Sequence, residues 1–403
     1  MNISICKWYN NADSPVLFFV DDFANVWIDT NGNGKIDLEE DWGYAKNGEN
    51  SSFKFLNEVI LKEFPNVKTT FFVPVGIRAG IIENSKIRSI SKMINCDEET
   101  KNFFKNVNDN PKYEIAYHGT THGKVGKTRY DFKQEWELFE SVEEAIEIIN
   151  KGKEIYKDVF EMYPKGGKYC GYTSNEFSDE SIDRTGFLWW SRYWNRGIID
   201  NQNSNISGQD RNSLSNFDIK TFGNNNVVDI PSTVNGGLFT GKLNPNLKSI
   251  KGIIKKILQP YLINKRLIEL EYLIRNNLVI SIQEHIAPSR DDGRRQTPNI
   301  FDDKESLIYI FNYLKNKNVW YCTGSELAEY YILRNSIKIR KTDNNNFEIK
   351  YNTKIQLSKM VLSIKLNKNN ATIIEPGGRK VTGINGIYNI NIADGLYEIE
   401  ETL

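Results

Sequence analysis

Two adjacent aspartates, Asp21 and Asp22, close a short apolar run from Val16 to Val20. A carboxylate pair in that place could hold a cation, accept a proton, or divide the two tasks. A second cluster, His118-Gly-Thr-Thr-His122, directly follows the run Glu114 to Tyr117. On a helical turn the i, i+4 spacing puts both imidazoles on one face, able to grip one ion. The chain has only 3 histidines, and the third, His285, ends the run that starts at Leu278. Any one of these groups could be a helix cap or a satisfied core residue. All of them at the ends of apolar runs is a sorting that filler residues would not show.

The runs themselves predict the frame. Val16–Val20, Thr69–Val73, Glu114–Tyr117, Val227–Ile230, Leu278–Ile282 and Val319–Cys322 read as buried parallel strands. Helical patterns lie between many of them, over Phe53–Phe64, Trp136–Tyr156, Ile250–Ile274 and Lys304–Lys315. Alternation of this kind predicts an α/β fold for residues 1–332, a parallel sheet or barrel covered by helices. In such folds chemistry sits at the C-terminal ends of the strands, where Asp21, Asp22 and the histidines fall. The Asn-, Ser- and Gly-rich stretch from Arg196 to Asn246 reads as a surface insertion around one strand. Residues 333–403 alternate apolar and polar positions between Gly, Asn and Lys turns, which predicts a small antiparallel β domain, sandwich-like.

Bulk properties narrow the function. A chain of 403 residues that is 39% hydrophobic can bury a large core. Its 52 Lys and Arg balance 52 Asp and Glu, so it lacks the basic footprint of a nucleic-acid binder and suits an uncharged glycan. The 4 cysteines are scattered, without a CxxC pair, which argues against a disulfide framework. No stretch approaches the roughly 20 apolar residues of a membrane span, and no export leader is seen at the start. The expectation is a cytoplasmic protein without a membrane span.

A second cation motif stands apart from the histidines. Asp29-Thr-Asn-Gly-Asn-Gly-Lys-Ile-Asp-Leu-Glu-Glu40 fits an EF-hand calcium loop at every position. Its oxygens would come from Asp29, Asn31, Asn33, Asp37, bidentate Glu40 and the Lys35 carbonyl, with Gly34 at the sharp turn. No helix precedes the loop, so it reads as an isolated structural calcium site inserted after the first strand.

Asp21-Asp22, His118-xxx-His122 and the late strand ending in His285, in that order, resemble the polysaccharide deacetylase family (NodB homology, carbohydrate esterase family 4) over about residues 14–330. The resemblance implies a distorted (β/α) barrel, a divalent metal, often zinc, and hydrolysis of N-acetyl or O-acetyl groups on glycans. It makes Asp22, His118 and His122 the metal ligands, Asp21 the general base and His285 the general acid. The chemistry asks for the same division. An amide carbonyl needs a Lewis acid, a water needs a base, and an amine leaves only when protonated.

The third family motif carries Arg-x-Pro, whereas here the segment is Lys165-Gly-Gly-Lys-Tyr-Cys-Gly-Tyr172. Lys168 stands where the arginine is expected and Cys170 where the proline is. A lysine cannot form the bidentate fork of an arginine, so Arg184 or Arg192 is an alternative partner for Asp21. The N–H groups of Gly171 and Tyr172 are candidate oxyanion donors. Leu188-Trp-Trp-Ser-Arg-Tyr-Trp194 matches the fourth motif, and Trp190 with Arg192 could meet a sugar ring or pack in the core.

The expectation is therefore a metal-dependent deacetylase of an N-acetylated carbohydrate, with one catalytic zinc-type ion and one calcium. The altered third motif motivates a different class, a catalytically weak carbohydrate-binding protein on the same fold. Hydrolysis of another ester or amide bond is a third reading, separated from the first by the acid released.

Overall fold

The computed structural model describes residues 2–194, 214–352, 355–367 and 371–401. The part of the expected insertion within 195–213 lies outside the described residues. The first sheet is built from Ser14–Asp21 (β1), Thr69–Val73 (β2), Tyr113–Tyr117 (β3), Gly166–Lys168 (β4), Trp189–Ser191 (β5), Val227–Asp229 (β6), Val234–Asn235 (β7), Ile280–His285 (β8) and Val319–Tyr321 (β9). Parallel pairing gives the order β6-β5-β4-β3-β2-β1-β8-β7, with β9 beside the start of β1 and Lys220–Phe222 antiparallel outside β6.

That order dictates curvature. β6 and β7 lie at opposite ends of the parallel row, yet only Ile230–Thr233 joins them. A link that short reaches no more than roughly 18 Å fully extended, so the sheet curls until its two edges approach each other. The expected distorted barrel is present. The sequence reading of 196–246 as a surface insertion around one strand needs correction, because Val227–Asn235 supplies two barrel strands and is almost wholly buried.

All 8 residues of β1 are buried, as a strand covered on both faces must be. Leu17 and Phe19 share an apolar cluster with Phe72, Ala116, Trp189, Val228 and Val279 from neighbouring strands. Val16, Phe18 and Val20 instead pack with Leu307, Ile310 and Phe311 of the helix Lys304–Leu314. The period of two therefore puts Leu17, Phe19 and Asp21 on one side, so the stripe that fills the barrel floor ends in the carboxylate at its mouth.

Helix boundaries depart from the sequence patterns for local reasons. Ile250–Ile274 is two helices, Ile250–Ile257 and Gln259–Arg275, with Pro260 in the first turn of the second. The pattern from Trp136 becomes a helix only at Val142, where the Ser141 side chain caps the Glu144 N–H. Phe53–Phe64 shrinks to Ser52–Phe55 running into a wider π-type turn, Leu56–Ile60.

The C-terminal region is antiparallel, as expected. One sheet runs Ile337–Lys341, Asn346–Tyr351, Gly395–Glu401, Ala371–Ile374, Lys380–Thr382. A second contains Val361–Leu366 between Ile3–Ile5 and Ile387–Asn391, so the chain's first strand pairs with this region rather than with the barrel. Phe347, Ile373, Leu362 and Ile390 continue the cluster that holds Leu17 and Trp189, making one core of barrel floor and β domain.

Candidate metal and acid–base site

Asp22 follows β1 directly, and its backbone takes a left-handed φ of 64°. A non-glycine residue in that region is uncommon and marks a place where surrounding contacts overrule local preference. The turn brings Asp22 Oδ1 to 3.0 Å from His122 Nε2 and 3.9 Å from His118 Nε2. Burial, which would raise the Asp22 pKa, is outweighed by His122 and Arg78, which hold its carboxyl well below the usual range.

The two imidazoles converge, but not as the spacing argument had it. Residues 118–122 are not helical. Gly119 has φ 88° and His122 φ 67°, and the segment wraps around a buried carboxylate. Glu135 accepts the consecutive N–H groups of Thr120, Thr121 and His122 at 2.9, 2.7 and 2.7 Å. His118 then packs with its Nδ1 3.0 Å from the Lys168 carbonyl, an oxygen that only accepts, so the ring proton sits on Nδ1 and the Nε2 lone pair faces Asp22. Burial pushes the His118 pKa down to about 4, which keeps the ring neutral.

Asp21 faces a different set. Lys168 Nζ donates to its Oδ2 at 2.5 Å, and His285 Nε2 lies 3.9 Å from the same oxygen. Lys168 also donates to Gln283 Oε1, which receives the Tyr172 hydroxyl at 2.8 Å. Burial lowers the Lys168 pKa to about 8, against the pull of Asp21. His285 Nδ1 donates to the Pro298 carbonyl at 2.6 Å, leaving Nε2 toward Asp21. Asp21 Oδ1 is buried without a hydrogen-bond partner, while Asp22 Oδ1 is buried among the His118 and His122 imidazoles and the Arg78 guanidinium. A buried carboxylate oxygen without a donor is costly unless a cation or a reacting group meets it.

Asp22, His118 and His122 together present one carboxylate oxygen and two imidazole nitrogens, donors of the kind a divalent ion takes up. Ligand atoms of His118, His122 and Cys170 also lie within 4.8 Å of one another, so that trio could hold a cation too. The Cys170 thiol donates to the His118 carbonyl at 3.1 Å, and burial raises its pKa well above the usual value. Ligation by Cys170 would require the thiolate, whereas Asp22 is already an anion.

Several expected partners lie elsewhere. Arg192 is held by Asp229, 3.0 Å away, and by Asp179, and Arg184 pairs with Glu143 and Glu180 on the surface. Neither takes the arginine's place, because Lys168 already fills the space beside Asp21. Tyr172 is removed from the oxyanion candidates, since its N–H donates to the Tyr169 carbonyl at 3.0 Å. Gly171 remains on an exposed turn with φ 56°. Trp190 is no sugar platform. It is fully buried among Tyr117, Trp136, Tyr169 and Phe187.

Sequence reading missed Arg78, Glu135, Gln283 and Gln296. Gln296 Nε2 donates to Asp22 Oδ2 at 2.7 Å, and Arg78 Nε lies 3.7 Å from Asp22 Oδ1. Only the third dimension gathers these common residue types.

In the 29–40 loop, Gly32 and Gly34 take φ 72° and 74°, as the tight turn demands. Asp29 accepts the Asn33 and Gly34 N–H groups, and Asp37 Oδ2 accepts both side-chain amides of Asn31 and Asn33 at 2.6 Å. The Lys35 N–H donates to Asn33 Oδ1 at 2.7 Å. Glu40 folds inward and accepts the Thr30 and Asn31 N–H groups.

No family model and no curated protein matches the chain. Among solved structures, it is similar to a Mycobacterium smegmatis protein described as a polysaccharide deacetylase, at 16% identity and TM-score 0.41, covering 81% of this chain and 93% of that one. A family 4 acetyl xylan esterase from Clostridium thermocellum gives 10% identity and TM-score 0.35, covering 78% and 90%. A CE4 family pseudoenzyme from Bacillus anthracis gives 12% and 0.36, covering 78% and 65%. In motif order, in its curled parallel sheet and in the strand-end placement of Asp21, Asp22, His118, His122 and His285, the chain resembles the polysaccharide deacetylases of carbohydrate esterase family 4.

Proposed function

We propose that this protein is a divalent-metal-dependent hydrolase that removes acetyl groups from a carbohydrate, N-acetyl groups first. The observation that carries the reading is the convergence of His118 Nε2 and His122 Nε2 on the buried Asp22 Oδ1, next in sequence to Asp21, whose buried Oδ1 meets no donor. Asp22, His118 and His122 would hold the ion. An N/O donor set of this kind suits zinc, which supplies Lewis acidity toward the acetyl carbonyl.

The chain's own groups divide the rest. Lys168 fixes Asp21 through Oδ2 and leaves Oδ1 to take a proton from the attacking water. His285, oriented by Pro298, receives at Nε2 the proton that Asp21 has taken from the water and delivers it to the departing nitrogen. Water thus adds across the C–N bond, giving acetate and a free amine. The Gly171 N–H is the remaining backbone candidate for the developing oxyanion. Asp29, Asn31, Asn33, Asp37, Glu40 and the Lys35 carbonyl would hold a calcium ion that braces the loop after β1.

The binding-only reading draws on the missing arginine, and the buried Lys168–Asp21 pair weighs against it. Acetate release from N-acetylated and O-acetylated glycans, with zinc-reconstituted protein beside Asp21→Asn, tests the proposal. Release that the variant loses supports it. Silence across the panel from a metal-loaded protein would overturn it.

A further inference from the structure

The returning arm of the 29–40 loop lies against the supports of Asp22. Glu40 is 3% exposed and aimed into the loop, yet its Oε2 is buried without a hydrogen-bond partner. Asp29, also 3% exposed, sits on the same loop. A buried anionic oxygen without a donor, in a loop with calcium-ligand spacing, asks for a cation.

Two residues on, Trp42 is fully buried. Its Nε1 donates to Ser289 Oγ at 2.8 Å, and that hydroxyl donates to the Glu40 carbonyl at 3.3 Å. The Arg78 guanidinium lies on the Trp42 ring, 4.3 Å from its centroid, with Nε 3.7 Å from Asp22 Oδ1. On the other side, Glu39 pairs with Arg295 at 2.8 Å, and the next residue, Gln296, donates to Asp22 Oδ2 at 2.7 Å. Both oxygens of Asp22 thus face groups that lean on residues 39–42.

We propose that calcium bound in the 29–40 loop acts as an activator of the Asp22 site: by fixing the Glu39–Trp42 arm it fixes Arg78 and Gln296, and with them the Asp22 carboxylate. The inference rests on the reading of that loop as a calcium site and of Asp22 as a ligand of a second metal. Without the cation, Glu40 Oε2 keeps no partner in its buried position, and turning that carboxylate out to water moves the arm that carries Trp42. By linkage the effect is reciprocal, so metal at Asp22 tightens calcium by the same factor. Calcium's demand for many oxygen ligands keeps it out of the two-imidazole set.

The test uses the full chain, stripped with chelator, with Co2+ as a visible-absorption probe of the Asp22 set and calorimetry for Ca2+. Calcium is expected to bind at one site and to tighten Co2+ by about tenfold. Asp37→Ala, at the loop's accessible rim, is expected to lose calcium and keep the Co2+ affinity of the calcium-free protein. Arg295→Ala is expected to keep calcium and lose part of the coupling. Trp42→Phe should do the same where it folds. Calcium binding that leaves Co2+ affinity unchanged overturns the activation but not the loop reading. Absence of calcium binding overturns both. A calcium-loaded protein that takes no Co2+ overturns the Asp22 assignment, and the activation with it. None of these readouts requires turnover, so a wrong guess of substrate leaves the test intact.

Discussion

Lys168 Nζ lies 2.5 Å from Asp21 Oδ2 inside the barrel mouth, with both side chains buried. The ammonium sits 4.0 Å from the Tyr172 ring centroid and 5.1 Å from that of Phe72, so two aromatic rings border it as well as its anion. A single donor can therefore position Asp21 where a fork is absent, because the cage supplies the direction that the guanidinium plane would give. Lys168→Met keeps the length and removes the charge. Breaking a buried pair from one side costs about 3–5 kcal/mol, so the melting temperature should fall together with acetate release. A variant with native turnover would show that Asp21 is oriented by something else.

Base and metal ligand should separate cleanly by mutation. Asp21→Asn retains an oxygen for Lys168 but loses its basicity, so turnover should drop by about 10²–10⁴ while the bound metal stays stoichiometric. His118→Ala removes a ligand, and metal and activity should vanish together. Metal content measured on both purified variants decides the matter. Stoichiometric metal in His118→Ala would sink the ligand assignment.

Glu135 is the residue on which the histidine loop hangs. Three successive N–H groups, each within 2.9 Å, converge on its two buried oxygens. In Glu135→Gln an amide NH2 must face at least one of those N–H groups, which opens the turn at His122. Groups that orient ligands without touching metal are worth about 10–100-fold in affinity, and a loss of that size is expected here. An unchanged metal affinity would mean that the His118–His122 segment holds its shape by packing alone.

The sequence made the long strands and the reactive residues legible, for physical reasons that also mark the limit. Val16–Val20 and Thr69–Val73 stand out because both faces are covered, which forces continuous apolar runs. Asp21, Asp22, His118, His122 and His285 stand out because rare or charged types interrupt those runs. β4, β5 and β7 were not separable from loops, since two or three residues carry no period and their pairing is fixed by distant chain. Glu135, Gln283 and Gln296 carry no signal of type, and their role exists only once the barrel closes. The i, i+4 argument for the histidines names two rings that do converge, but through another geometry, because a buried glutamate rather than a helix sets the turn.

Gly166 and Gly167 lie in a strand whose lack of side chains there makes room for two tryptophans. A Cβ on Gly166 would stand 2.0 Å from the Trp189 ring, and one on Gly167 would stand 2.3 Å from Trp190 and 2.4 Å from the Tyr117 carbonyl. Neither glycine has a left-handed φ, so the requirement is space alone. Trp189 is walled in by Phe19 and Phe72 and donates its Nε1 to Ser325, so it cannot swing aside without breaking the barrel floor. Overpacking of this kind costs about 1–3 kcal/mol, and Gly166→Ala should reach the upper end in urea unfolding. Because Lys168 lies two residues further along β4, the strain should also lower turnover by displacing its ammonium from Asp21. Shortening the opposing ring isolates the cause: Trp189→Phe in the Gly166→Ala background should recover part of the stability, a coupling that contacting residues show and distant ones do not. Strictly additive losses in the double variant would mean that the two side chains do not compete for the same volume.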